Sequence, residues 1–295
     1  MQKILVTGAT GNIGMEVISW LYKLPTNYKV TAGVRNPDKA KSTFSEYPHL
    51  EYTQFDFENP DTFLNALKGI TTVFLLRPPH ISDVEKYFAP LVLQMQNAGI
   101  RQVVFLSVQG AEKSKVIPHN KIERLLEESG MEYVFLRPSY FMQNLTSTLK
   151  KDIQEKREII LPSGKAKLNW IDAANIGEVA AITLENFSQY KNQKIEITGD
   201  ENLNFYEVVD VINQNSKASI AYKPVNPISF YFIKKKDGVP TGMIMVMIML
   251  HFLPRFQKDP QRSDAYNKIT GKKPNPLSVF VEREKDFFNK SADGN

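Results

Sequence analysis

Three glycines close to the start of the chain, Gly8, Gly11 and Gly14, stand in the run Val6-Thr7-Gly8-Ala9-Thr10-Gly11-Asn12-Ile13-Gly14 with the spacing GxxGxxG. The residues before them, Lys3–Thr7, read as a buried strand, and those after them, Asn12–Leu24, as an amphipathic helix. At such a turn the first glycine permits the tight reversal, the second lets the backbone come close to a phosphate, and the third lets the helix pack near the strand. The unpaired amides and the positive end of the helix dipole then face an anion. The turn is read as a pyrophosphate cradle for a dinucleotide, with Gly8, Thr10, Gly11, Asn12, Ile13 and Gly14 as contacts. The competing reading is a tight strand-to-helix turn and nothing more.

The end of the second strand separates the two nicotinamide dinucleotides. A carboxylate there bonds a ribose 2′-hydroxyl and repels a 2′-phosphate. Here the order is Ala32-Gly33-Val34-Arg35-Asn36-Pro37, so a guanidinium stands in that place, with Lys39 one helical turn on. A guanidinium can bond a phosphate with a two-pronged fork, so NADP(H) is expected in preference to NAD(H). The alternative is a solvated surface arginine. Asp56, followed by Phe57, closes the third strand and is placed to accept from an adenine amino group or to cap the next helix, for which Asn59 and Asp61 are better placed. Leu76, Arg77 and Pro78 follow the fourth strand and should border the nicotinamide ribose, because ligands of such sheets lie beyond the carboxyl ends of the strands. Ser107 and Val108 after the fifth strand, and Pro138 after the sixth, fall on the same edge.

The elements that must hold these residues follow from the alternation of short β-branched runs with amphipathic stretches between Lys3 and Arg137. Strands are predicted at Lys3–Thr7, Val30–Gly33, Glu51–Phe55, Thr72–Leu76, Gln102–Ser107 and Tyr133–Leu136. Helices fall at Asn12–Leu24, Pro37–Ser45, Pro60–Leu67, Asp83–Ala98 and His119–Ser129, with Gly99 and Gly130 as left-handed caps. The fold class is α/β: a Rossmann-type doubly wound parallel sheet with a smaller C-terminal α+β lobe. Residues 1–150 form the NAD(P)-binding domain and 151–295 a smaller substrate-binding lobe, its chain interleaved with the first. In that lobe are placed a helix Ala173–Glu185, a strand Ile195–Thr198, a helix Asn204–Asn213 and a closing helix Leu277–Phe288. The methionine-rich stretch Met243–Leu250 is expected in the core or as a pocket roof.

A chain of 295 residues, 42% hydrophobic and 23% charged, can bury a large core. The net charge of +5 is spread along the chain, so direct nucleic-acid binding is not expected. With no cysteine, a disulfide framework, a thiolate metal site and a thiol nucleophile are excluded, and a cytoplasmic location is expected. The start of the chain has no signal-type block and the window Met243–Leu253 is about half a bilayer span, so no membrane partner is expected. His49, His80 and His251 lack metal-ligand spacing, and no metal is predicted.

Together with Leu106-Ser107-Val108-Gln109-Gly110-Ala111, His119 with Glu123, Leu136–Asn144 and Ile269-Thr270-Gly271-Lys272-Lys273-Pro274, these motifs make the chain similar to the NmrA-like atypical short-chain dehydrogenases, and within them to the bacterial NAD(P)H:quinone oxidoreductase type. The resemblance covers nearly the whole sequence. It implies an NADPH-dependent oxidoreductase that reduces a quinone or a similar small conjugated carbonyl compound; a monomer or homodimer is expected. It departs from active short-chain dehydrogenases in their Tyr-x-x-x-Lys pair, whose lysine lowers the tyrosine pKa for proton exchange. If Glu123 sets the register, His119 takes the lysine position and Lys115 the tyrosine position. The resemblance therefore makes His119 the candidate catalytic residue, bonding the nicotinamide ribose or protonating a reduced oxygen; the alternative is a cap on the helix after Pro118. Ser107 matches the usual catalytic serine, to orient a carbonyl or to satisfy a strand-end backbone group. Tyr140, Phe141 and Asn144 are candidate substrate contacts, with a core placement of the aromatics as the other reading. The lost relay keeps a second function open, a non-catalytic NADP(H)-binding redox-sensing regulator of the NmrA type.

Overall fold

The computed structural model describes residues 2–25 and 28–290. The chain divides into two units, one of Met1–Pro138, Ala173–Ile197 and Ala265–Lys272, the other of Ser139–Asp172, Thr198–Asp264 and Lys273–Asn295.

The first unit is built on seven strands: β1 Gln2–Thr7, β2 Tyr28–Val34, β3 Glu51–Gln54, β4 Thr72–Leu76, β5 Gln102–Leu106, β6 Glu132–Pro138 and β7 Gln193–Ile197. They lie in the order β7-β6-β5-β4-β1-β2-β3, and all the pairings are parallel. Central strands such as Val103–Leu106 and Val134–Leu136 are buried throughout, as strands covered on both faces must be. The helices are α1 Asn12–Lys23, α2 Pro37–Thr43, α3 Phe63–Leu67, α4 Val84–Asn97, α5 Pro118–Glu128 and α6 Ala173–Glu185. Gly99 and Gly130 adopt φ of 75° and 73° just past α4 and α5, where the helix ends require a left-handed residue. The strand order reverses between β1 and β4, which makes the carboxyl ends of those two strands the switch point of the sheet.

Two elements expected in the C-terminal lobe belong to the first unit instead. The strand expected at Ile195–Thr198 is β7, which pairs parallel with β6 from Gln193↔Val134 to Ile197↔Pro138. The helix Ala173–Glu185 is α6, which lies along α1 so closely that a Cβ on Gly177 would come 2.6 Å from Glu16 Cβ. The missing Cβ of Gly177 permits that close approach, and the pairing of β7 is decided by partners about 60 residues away, which local periodicity does not carry.

The second unit holds a three-stranded sheet ordered Asn202–Leu203, Leu168–Ile171, Tyr140–Phe141, and a parallel pair of Glu158–Leu161 with Ala221–Pro224. Trp170, Phe205 and Phe280 are fully buried in its core. The helix Phe205–Asn215 begins at a reciprocal capping box, Asn204 with Glu207. The expected closing helix is two shorter ones, Leu277–Arg283 and Lys285–Asn289, broken at Glu284.

The methionine stretch is core along one side only. It forms the helix Thr241–Phe252, in which Ile244, Met247 and His251 point inward while Met243, Met245 and Met249 are 39, 54 and 42% exposed. Inward positions spaced three and four apart make a single narrow stripe, and the rest of an apolar composition is left outside. Among the described residues no helix is long and apolar enough to cross a membrane.

Candidate functional site

The glycine turn sits at the switch point. Gly8 has φ of 60°, a left-handed conformation that its missing Cβ allows. Beside it, Thr7 extends the ladder beyond the last paired residues of β1 and β4. Its hydroxyl donates to Phe74 O at 3.0 Å and accepts from Leu76 N at 2.9 Å, which ties the two carboxyl ends together. A Cβ on Gly8 would stand 3.0 Å from Leu76 Cδ2, and one on Gly14 only 2.3 Å from Gly8 O. The start of α1 has Gly11 as its N-cap, with no side-chain cap and no acidic residue in its first turn. Among the described residues no side chain caps the amides of Asn12, Ile13 and Gly14, which the helix itself leaves without a partner. That is a cradle of the kind a pyrophosphate fits.

Arg35 directly follows β2; it is exposed, and among the described residues it has no hydrogen-bond or ion-pair partner. Its neighbour Asn36 caps α2 by accepting from Lys39 N at 3.0 Å. Asp56 accepts from Glu58 N at 3.0 Å through Oδ1, a local turn contact, while Asn59 caps the next turn as expected. The Phe57 ring is core, edge-on to Phe55 at 5.0 Å, and leaves only its main chain for a ligand.

His119 does not cap α5, whose N-cap is Ile117 with no side-chain bond. Its Nε2 accepts from Arg77 Nε at 3.3 Å, which leaves the ring proton on Nδ1. Burial, with the Arg77 charge second, holds the imidazole down to about 3 from its ordinary 6.5. That direction favours a neutral ring at neutral pH, one that offers a single N–H for either expected role. Lys115, in the tyrosine place, is an exposed turn residue ahead of α5.

Ser107 is buried at the end of β5 and donates to Glu123 Oε1 at 2.5 Å, so its proton is committed inside the protein. Glu123 in turn takes the fork of Arg137, at 2.9 Å from Nε and 2.6 Å from Nη2, and Arg137 Nη1 reaches Glu112 at 2.8 Å. The main chain continues the link. Ser107 N donates to Leu136 O at 2.8 Å and Gln109 N to Pro138 O at 2.9 Å, which fixes Val108 and Pro138 at the edge of β5 and β6.

In the second unit Tyr140 packs edge-on to Trp170 at 4.9 Å, and its hydroxyl lies 2.9 Å from His251 Nε2. Burial pushes the phenol up, with an opposing hydrogen bond from Asn144, and holds His251 down to about 4. Tyr140 thus belongs to that unit's core wall, and Phe141 and Asn144 beside it are partly exposed.

Residues 1–268 match the model of the NmrA-like family. The chain belongs to the NmrA-like family. It is 30% identical over 290 residues to prestalk A differentiation protein A of Dictyostelium discoideum, covering 98% of this chain and 94% of that one. It is 29% identical to an NAD(P)H azoreductase of Xenophilus azovorans, over 95% of this chain and 96% of that one. The solved NADPH complex of the Escherichia coli NADPH-dependent quinone oxidoreductase QOR2 shares the fold with a TM-score of 0.83 at 21% identity, over 95% and 99% of the two chains.

Three partnerships at this NmrA-like site were not legible in the sequence: Thr7 bridging two strands, Arg77 on His119, and Glu123 between Ser107 and Arg137. A buried-type helix position filled by glutamate, with an arginine on a central strand, was the available signal for the last.

The depressed histidines have a stability consequence. The folded values, about 3 for His119 and about 4 for His251, lie below the ordinary 6.5, so the unfolded chain takes up protons first as the pH falls. Their contribution is full above about pH 7 and is lost as the pH falls from about 6.5 toward those folded values. Urea denaturation between neutral and mildly acidic pH is expected to show a falling midpoint, with a shallower slope in His119→Gln. A slope unchanged in that variant would contradict the assignment.

Proposed function

We propose that the chain is an NADPH-dependent oxidoreductase that reduces a quinone or a similar small conjugated carbonyl compound by hydride transfer. The observation that carries this reading is the uncapped glycine turn at the sheet's switch point, with an exposed Arg35 at the end of the neighbouring strand that has no partner among the described residues. Gly8, Thr10, Gly11, Asn12, Ile13 and Gly14 would hold the pyrophosphate, Arg35 the 2′-phosphate, and Asp56 with the Phe57 main chain the adenine. Leu76, Arg77 and Pro78 border the nicotinamide ribose in this reading, and Ser107, Val108 and Pro138 the nicotinamide. Bound reduced nicotinamide supplies the hydride and its two electrons. The chain orients it on a rigid edge, and His119 contributes a neutral N–H rather than an acid. The names of an azoreductase and a quinone oxidoreductase among the relatives support the reaction class.

Arg35→Ala is expected to weaken NADPH by about tenfold or more, the loss of a charge-assisted fork, and to leave NADH within about twofold. Fluorescence titration of both coenzymes reads this; equal losses for the two would remove Arg35 from the 2′-phosphate. Steady-state NADPH oxidation with a panel of quinones tests the activity, and tight NADPH binding without turnover on any of them would reject it. That outcome favours the redox-sensing regulator, whose specific support is the absence of a tyrosine at Lys115 and the commitment of the Ser107 proton to Glu123. A regulator would change its affinity for a protein partner with the NADP+/NADPH ratio.

A further inference from the structure

Among the described residues the Arg77 guanidinium makes no ion pair. Its Nη1 donates to Pro78 O at 3.0 Å, Pro79 O at 3.2 Å and Ile81 O at 2.5 Å, and its Nε to His119 at 3.3 Å. All four acceptors are neutral. Among the described residues no carboxylate pairs with Arg77, and no bond leaves its Nη2. The other arginine on this edge, Arg137, is answered by two carboxylates, Glu123 and Glu112. Burial alone pulls the Arg77 pKa down, as expected of a cation drawn out of water without an anion. A charge in that state costs free energy that an anionic ligand would return.

We infer that Arg77, with its Nη2 free at the carboxyl end of β4 and its Nε fixed on His119, is an oxyanion site for the phenolate-type oxygen of the reduced substrate. This rests on the oxidoreductase reading above and supplies what the missing Tyr-x-x-x-Lys pair would have done. Hydride transfer to a quinone delivers one hydrogen and two electrons and leaves a hydroquinone monoanion, while the nicotinamide is oxidised. The new negative charge sits on oxygen. Arg77 stabilises that charge without giving up a proton, and the second proton comes from water. The neutral His119 fits this division of labour, because it anchors the guanidinium and adds no competing charge.

The probe is 4-nitrophenolate, at a pH where it is fully ionised, against its neutral isostere 4-nitrotoluene, each titrated by equilibrium dialysis into the full-length protein. The phenolate is expected to bind about tenfold or more tighter than the isostere. Arg77→Gln is expected to abolish the difference while the isostere's affinity stays put, and Arg77→Lys to keep part of it. A tether that only holds the turn at residues 78–81 would not distinguish the two probes. Should Arg77→Gln fail to fold, Arg77→Lys and displacement of the phenolate from wild-type protein by perchlorate keep the test open. Inorganic pyrophosphate is run in parallel: if its binding, and not the phenolate's, depends on Arg77, the charge serves a phosphate and the inference falls. Equal affinity for phenolate and isostere also overturns it. NADPH titration is read separately, so that failure of the coenzyme to bind condemns the functional reading and failure of the phenolate preference condemns this one alone.

Discussion

Replacing Gly14 by alanine is expected to weaken NADPH at least about a hundredfold and to destabilise the protein by about 2 kcal/mol. Helix propensity alone predicts the opposite for stability, a gain of about 1 kcal/mol when glycine inside a helix becomes alanine. Space decides against it. The new Cβ would lie 2.3 Å from Gly8 O, 2.7 Å from Ala9 Cα and 2.9 Å from Ala9 C. All three are backbone atoms of the turn, so no side chain can swing away to relieve the clash, and either α1 or the turn must move. The turn carries the amides proposed to hold the pyrophosphate, and a displacement of a few tenths of an ångström spoils several charge-assisted bonds together. Gly99→Ala provides the contrast. Its φ of 75° makes alanine strained, but its Cβ would meet nothing within 4 Å, so that variant loses about 1 kcal/mol and keeps its coenzyme affinity. Calorimetric titration and thermal denaturation of both variants check the pair, and a Gly14→Ala protein that binds NADPH within about threefold of wild type would show that the close packing of α1 is not what forms the cradle.

The same turn marks what the sequence could reveal. A phosphate cradle is a local object: strand, three glycines and helix start are contiguous, and each glycine answers a steric need readable at its own position. The strands are local too, because burial on both faces writes itself as an unbroken apolar run. What escaped lies in partnerships across the chain. Arg77 and His119 are 42 residues apart and Ser107 and Glu123 are 16 apart, and no periodicity links either pair. The position of His119 is legible, but its protonation state depends on burial and on the charge of Arg77, which follows β4 and is remote in sequence. The methionine helix is legible only in part. Composition counts apolar residues, whereas packing needs them in phase, and only Ile244, Met247 and His251 meet that condition. Helix α6 failed by assignment to a unit: an alanine-rich, almost wholly buried helix signals close contact without naming its neighbour, here α1.

Glu123 sets the other large expectation. It is 2% exposed and accepts from three donors, Ser107 Oγ and two nitrogens of Arg137. Glu123→Ala leaves the guanidinium of Arg137, itself 6% exposed, with the half-exposed Glu112 as its ion-pair partner and the more distant charge of Glu196. Breaking one side of a buried pair costs about 3 kcal/mol, because the remaining charge stays desolvated. For a chain of this size that corresponds to a fall in melting temperature of about 6 °C or more. Removing both charges is a different operation. In Glu123→Leu with Arg137→Met the volume is kept and no charge is stranded, so the double variant is expected to recover most of the loss, apart from the Ser107 hydroxyl and Glu112 left without their partner. Ser107→Ala alone, which removes one donor and leaves the fork intact, is expected to cost about 1 kcal/mol. Chemical denaturation of the four proteins closes the cycle. If Glu123→Ala unfolds within about 1 kcal/mol of wild type, the carboxylate is not what joins the ends of β5 and β6, and Ser107 becomes free to act on a ligand instead.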